Sequence, residues 1–358
     1  IPNYLVKSTT LEHEPSPILT TVKSIKHTGY QYHEASQSYT QKSYPPVSFN
    51  YTEQKIDPKI YSIHAEDLPN APQGIDGSSY QFNDLYGEGL NGILSQKANA
   101  WYYKRNEGEG QFGAQQLVKT IPSLAVNANV LVADFGGDGC VDAMIQSNGI
   151  KGYYELSQEG EWSTLKTFAH PVNFDMNDPS LRMLDLDGNG IPDILITEND
   201  CFVWYPSDSR DGYKSSYRVA KKLEEEQGPR IVFSEVEQTI FLADMSGDGL
   251  TDIVRVMNGN ISYWANMGYG KFSAKITMAD APTFDFPNYY DTSRIRLADI
   301  DGSGSTDILY LGRDQISYWL NQSGNSWSPK LEINNFPRTS YLHSVSVMDL
   351  LGNGTSCI

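Results

Sequence analysis

An all-β fold, a six-bladed propeller with four-stranded blades behind a short N-terminal β segment, is what this 358-residue sequence predicts. Three observations predict it. First, an acidic, glycine-rich phrase recurs, most fully as Leu297-Ala-Asp-Ile-Asp-Gly-Ser-Gly-Ser-Thr-Asp-Ile-Leu-Tyr-Leu-Gly312. Its leading aspartates fall at Asp84, Asp134, Asp185, Asp244, Asp299 and Asp349, spaced by 50, 51, 59, 55 and 50 residues. Self-similarity at such a period belongs to propellers and solenoids. Second, short runs of β-branched and aromatic residues flank each phrase, with no helical period between them. Third, an aromatic side chain recurs 17 to 20 residues past each of the first five aspartates, at Trp101, Tyr153, Trp204, Trp264 and Trp319.

The fifth repeat justifies the four-stranded unit. Arg294–Ile300, Asp307–Leu311, Gln315–Leu320 and Trp327–Ile333 read as consecutive strands broken by glycine- and asparagine-rich turns. Ile308 to Leu311 run apolar without alternation, as in a strand covered on both faces. Such a unit cannot bury both faces alone, so its neighbours must cover it. The recurring aromatics then read as inter-blade core rather than as a ligand cage, because aromatics dominate core burial.

Taken in order, residues 1–62 lack the repeat and offer strands at Tyr4–His13, Ile18–Tyr32 and Val47–Glu53, with Glu34–Lys42 expected as a polar loop. This segment either forms a small sheet of its own or pairs with the sixth repeat to close the ring, which would remove exposed strand edges. The propeller spans 63–358. Its blades are expected at 63–122, 123–172, 173–230, 231–285 and 286–340, with a sixth begun at 341. The charged run Lys221–Gly228 is expected as a solvated loop, with one helical turn as the alternative.

The totals exclude several functions. A net charge of −17 opposes nucleic-acid phosphate and anionic membrane surfaces alike. No apolar run approaches the length of a membrane-spanning helix, so direct membrane insertion is not expected. Cys140, Cys201 and Cys357 are an odd number set in or beside apolar runs, which reads as buried free thiols and folding in a reducing cytosol. The chain begins at Ile1 without an initiator Met and stops one strand into the sixth repeat, as expected of a piece of a longer protein.

No catalytic constellation is found, and no enzymatic activity is expected. His13, His27, His33, His64, His170 and His343 are scattered, and neither a zinc-protease motif nor a phosphate-binding loop is present. Gly302-Ser303-Gly304-Ser305 imitates a nucleophile elbow only because the repeat turns there. Metal binding is the serious alternative. Asp185, Asp187, Asn189 and Asp193 place oxygens at positions 1, 3, 5 and 9 of the turn, an arrangement calcium tolerates. Asp299, Asp301, Ser303 and Asp307 come second, and Asp244, Ser246, Asp248 and Asp252 third. The pattern decays elsewhere, with Gly136 and Leu351 at position 3 and Gly92 and Cys357 at position 9. A metal-free loop, its leading Asp bonded to the loop's own amides, is the favoured account, so no site residue and no cofactor is assigned.

The acidic loops resemble the FG-GAP repeats of integrin-α and related propellers. Longer phrases are similar to the B component of bacterial Tc insecticidal toxin complexes and to plasmid-virulence toxins: Trp101-Tyr-Tyr-Lys with Phe112-Gly113, Leu242 to Arg255, Ile295 to Gly312, and Val347 to Thr355. Lys42 to Thr52 looks like the strand before the propeller of that family. The resemblance implies a secreted, non-enzymatic docking and gating module. It would bind the homopentameric pore-forming A component and open to pass the toxic polypeptide, while a shell region outside this chain would join the C component. Two other functions are kept beside it, a carbohydrate-binding propeller and a calcium-dependent adhesion propeller.

Overall fold

The computed structural model describes residues 4–52, 56–61, 80–97, 100–118, 130–147, 149–157, 160–235, 239–313, 315–334, 336–337, 342 and 345–358. The chain divides into two compact units, Ile1–Ile56 and Asp57–Ile358. Residues 62–79, where the first blade was expected to open, lie outside the described residues. So do residues 119–129, around the expected join of the first two blades.

The N-terminal unit is one antiparallel sheet of Lys7–Glu14, Thr21–His33, Ser38–Ser43 and Val47–Ser48, with Thr21–His33 paired to the other three. The expected loop at Glu34–Lys42 is corrected: Ser38–Ser43 is a strand after a turn in which Gln37 has φ 49°. Its polar sequence hides it. What holds it is cross-strand contact, with the Tyr39 ring 5.0 Å from Tyr32 and 6.0 Å from Tyr30.

The second unit is all-β, and no α-helix occurs among the described residues. Among the described residues, five four-stranded antiparallel sheets follow one another in the chain, and each pairs its strands in sequence order. Sheet one holds Tyr80–Asn83, Gly92–Lys97, Ala100–Lys104 and Gln116–Val118. Sheet two holds Val130–Ala133, Asp142–Ser147, Ile150–Glu155 and Lys166–Thr167. Sheet three holds Leu181–Leu184, Asp193–Thr197, Cys201–Tyr205 and Tyr217–Ala220. Sheet four holds Ile240–Ala243, Asp252–Met257, Asn260–Trp264 and Ile276–Thr277. Sheet five holds Ile295–Ala298, Asp307–Leu311, Gln315–Trp319 and Leu331–Asn334. The sixth repeat contributes its acidic turn, closed by an antiparallel bridge between Met348 and Cys357. These elements fit a propeller.

Two local expectations change. The segment expected as the fourth strand of sheet five is split, because Ser326–Trp327 pairs with Asn321–Gln322 in a small hairpin and only Leu331–Asn334 reaches the sheet. The charged run of the third repeat holds a single 3₁₀ turn, Glu225–Gln227, and it is not merely solvated. The Glu225 carboxylate pairs with Arg255, and the Glu225 carbonyl accepts the Trp264 indole N–H at 3.1 Å. Distant residues of sheet four thus capture it.

Period-two alternation builds the core between sheets. Ile253 and Trp264 pack with Leu195, Phe202 and Trp204 of sheet three. Val254, Val256, Ile261 and Tyr263 face the other way and pack with Ile308, Tyr310 and Trp319 of sheet five. Two more clusters join sheets one and two, and sheets two and three. No sheet buries itself. The five recurring aromatics are all buried, from 0% exposed at Trp264 to 7% at Trp101, and so belong to the core. No helix among the described residues is long and apolar enough to cross a membrane.

Candidate functional site

The six acidic turns are built alike. In each, the leading aspartate accepts amide hydrogen bonds from its own loop. Asp299 takes Gly302 N at 2.7 Å and Gly304 N at 2.8 Å. Asp134, Asp185, Asp244 and Asp349 repeat the pattern, and Asp84 accepts from Glu88 and Gly89. Both glycines of the fifth turn have positive φ, 76° at Gly302 and 88° at Gly304, a conformation that costs a residue with a Cβ. This is the hydrogen-bonded turn the sequence pointed to.

A second carboxylate, eight residues after the first, was read from sequence only as a possible metal ligand. It has a structural task. Asp252 is fully buried and accepts Met245 N at 3.0 Å and Asn266 N at 2.8 Å, tying the turn to the end of the third strand. Asp307 binds Ile300 N and Asn321 N in the same way, and Asp193 binds Leu186 N and Ser207 N. Burial pushes these carboxyls up, to about 6 at Asp142 and Asp252 and to about 8 at Asp307. The fixed spacing of Asp134/Asp142, Asp185/Asp193, Asp244/Asp252 and Asp299/Asp307 was the available signal. Where the first repeat has Gly92 at this position, the phenol of Tyr103 accepts from Leu85 N at 3.3 Å and donates to Asn83 O at 3.1 Å.

The turns also meet one another. The carbonyl that follows the leading aspartate accepts a hydrogen bond from the next sheet. Phe135 O takes Ser209 Oγ at 3.2 Å, Leu186 O takes Tyr269 N at 2.9 Å, and Met245 O takes Asn321 Nδ2 at 2.9 Å. Leu350 O, in the sixth turn, takes Asn106 Nδ2 of the first repeat at 3.2 Å. The fifth and sixth turns touch where Ser356 N donates to Asp299 O at 2.9 Å. A Cβ placed on Gly352 would stand 2.9 Å from Leu90 Cδ2 of the first turn.

Two turns gather three carboxylates each, Asp185–Asp187–Asp193 and Asp299–Asp301–Asp307, with one oxygen of each residue within 4.8 Å of the others. The fourth turn has Ser246 at position 3, and its hydroxyl lies 3.5 Å from Asp244 Oδ1. Histidine chemistry does not assemble among the described residues. His27 and His33 bond threonines, and His170 faces Asp208 at 3.2 Å on the surface. His64 and His343 lie outside the described residues. Ser303 Oγ is 3.0 Å from Ser305 Oγ, so the elbow-like phrase is part of the turn. Cys140 and Cys201 are buried free thiols and Cys357 is half-buried. A groove of about 590 Å³ between sheets four and five is lined by Asp280, Pro282, Gln322, Lys330, Trp319 and Trp327. Because both indoles are at most 4% exposed, it offers no open ring face for a sugar to stack on.

A family model described as an FG-GAP-like repeat matches residues 244–310, the fourth turn through the second strand of sheet five. A Photorhabdus luminescens Tc holotoxin pore is similar over 98% of this chain, with a TM-score of 0.75 and 25% identity. The likeness is to a Tc toxin. A crystal structure of TcdB2-TccC3 without its hypervariable C-terminal region also aligns over 98% of the chain, with a TM-score of 0.53 and 23% identity. This chain spans 16% of the length of each of those chains. A lectin of Agrocybe aegerita that recognises non-reducing terminal N-acetylglucosamine aligns over 92% of this chain and 81% of its own, with a TM-score of 0.50 and 15% identity, a likeness of fold alone. No curated protein matches the chain. Together the matched repeat and the Tc structures support a Tc-toxin-related β-propeller fold.

Proposed function

We propose that this chain is the docking and gating propeller of a Tc toxin B component. It is a six-bladed ring that binds the pentameric pore-forming A component and opens to pass the toxic polypeptide. The observation that carries the reading is the likeness of 98% of the chain to part of a Tc holotoxin pore at a TM-score of 0.75. A six-bladed ring is supported by the acidic turns, since the fifth touches the sixth and the sixth touches the first. No enzymatic role is proposed, because the leading and the buried aspartates of the turns accept backbone amides. The module belongs to a secreted toxin, and contact with the C component falls to a shell region outside this chain.

A net charge of −17 suits association with a complementary basic rim, which speeds encounter at low salt. The test is binding of the purified, folded chain to a pentameric Tc A component by biolayer interferometry at low and high ionic strength. Binding whose association rate falls as salt rises is expected. A folded chain that does not bind the A component at low salt refutes the docking reading. Binding with a salt-independent association rate refutes the electrostatic part alone.

A further inference from the structure

One exposed aromatic stands in a backbone conformation that aromatics avoid. Tyr269, in the hairpin that follows the third strand of sheet four, has φ 55° and is 64% exposed. Its amide donates to Leu186 O of the third turn at 2.9 Å, which fixes the strained backbone in place. Strain of this kind costs stability and gathers at functional sites. The matching hairpins of the first, third and fifth repeats put Glu109, Ser209 and Ser323 in the left-handed region, at φ 52°, 56° and 52°. The hairpin itself therefore requires no aromatic.

A second tyrosine stands beside it. Tyr217 opens the outer strand of sheet three, is 56% exposed, and lies opposite Trp204 in the strand register. Opposite the recurring aromatic of sheets one and two stand Val118 and Lys166, so the repeat does not require a tyrosine here either. Both tyrosine rings rest against the Trp204 indole, with centroids 5.3 Å away for Tyr217 and 6.0 Å for Tyr269. Trp204 is a fixed support, buried and with its N–H held by Asp193 at 2.9 Å. Neither tyrosine hydroxyl has a hydrogen-bond partner among the described residues.

We propose that Tyr217 and Tyr269, at the seam of sheets three and four, form a platform that binds a neutral oligosaccharide. A tyrosine offers an apolar ring face and a polar tip, and a sugar ring offers the complement in its C–H faces and hydroxyls. Area argues against a protein partner. Two tyrosines of about 200 Å² each, exposed to this degree, present roughly 250 Å², against about 800 Å² per partner in a stable protein interface. Charge argues for a neutral sugar, because a chain of net charge −17 repels sialylated and sulfated ones. The site stands apart from the docking reading, since it needs no other toxin component.

The full chain is screened on an array of neutral, sialylated and sulfated glycans, and the neutral glycan bound best is titrated calorimetrically into the wild type, Tyr269→Asn and Tyr217→Thr. Asparagine enters the left-handed region readily and threonine suits a strand, so both variants are expected to melt with the wild type. Neutral glycans are expected to bind the wild type, and each variant to bind at least tenfold more weakly. No neutral glycan bound, binding of charged glycans alone, or neutral binding that a folded variant keeps overturns the proposal. If Tyr269→Asn does not fold, Tyr217→Thr is judged by the same loss.

Discussion

Replacing Asp252 with asparagine isolates one buried carboxyl whose ionisation works against the fold. Asp252 is fully buried, and burial pushes its pKa from 3.8 to about 6 despite two amide donors that favour the anion. A carboxyl raised in the folded state holds its proton more tightly there than when unfolded. Its stabilising contribution is complete below the unfolded value and is lost as pH rises through the folded one. The window runs from about pH 4 to about pH 6, roughly two units, or about 3 kcal/mol at about 1.4 kcal/mol per unit. The asparagine of Asp252→Asn cannot ionise, and its amide keeps an acceptor for only one of Met245 N and Asn266 N, a loss of about 1–3 kcal/mol. The variant is therefore weaker than the wild type at pH 4, and the gap closes by about 3 kcal/mol by pH 7. Urea unfolding of both proteins at several pH values measures it, and the other raised carboxyls, Asp142, Asp193 and Asp307, cancel in the difference. A gap that stays constant with pH, or widens as pH rises, would refute the reasoning.

Two further outcomes are expected. Trp264→Ala removes a fully buried indole packed against sheet three, with its N–H on Glu225 O, and costs about 3–5 kcal/mol of unfolding free energy, read by urea denaturation. Gly324→Ala places a Cβ 2.5 Å from Tyr263 Oη and 3.1 Å from Met245 O at φ 74°, whereas Gly304→Ala has φ 88° and nothing within 4 Å. Thermal melts are expected to show a loss of about 1–2 kcal/mol for Gly304→Ala from the backbone alone, and a loss larger by about 1–3 kcal/mol for Gly324→Ala from the clash between sheets.

Much of the fold was legible because its determinants are local. The leading aspartate of each turn bonds amides no more than five residues away, so its spacing to the glycines is written in the chain. Asp307–Leu311 was readable as a strand because five consecutive residues are buried there. Ser38–Ser43 was not, since all six of its residues are exposed and what holds it is backbone pairing, tyrosine contacts and hydroxyl hydrogen bonds to Thr21–His33. Trp327 was assigned to the outer strand because apolar content alone cannot tell a strand from the hairpin that precedes it.

By itself the sequence determined the repeat, the strand order within each repeat, the clamped turns and the aromatic core positions, all set by period and short-range hydrogen bonding. Tertiary structure alone decided what stands where the pattern fails. The Tyr103 phenol replaces a carboxylate missing at Gly92, and Arg210 fills the gap over Gly136 from 74 residues away. It also decided that the sixth turn lies against the first, through Asn106 and Leu350, 244 residues apart. Contacts at that separation depend on how neighbouring sheets pack, and a linear pattern carries the shape of each sheet but not the side chain its neighbour brings.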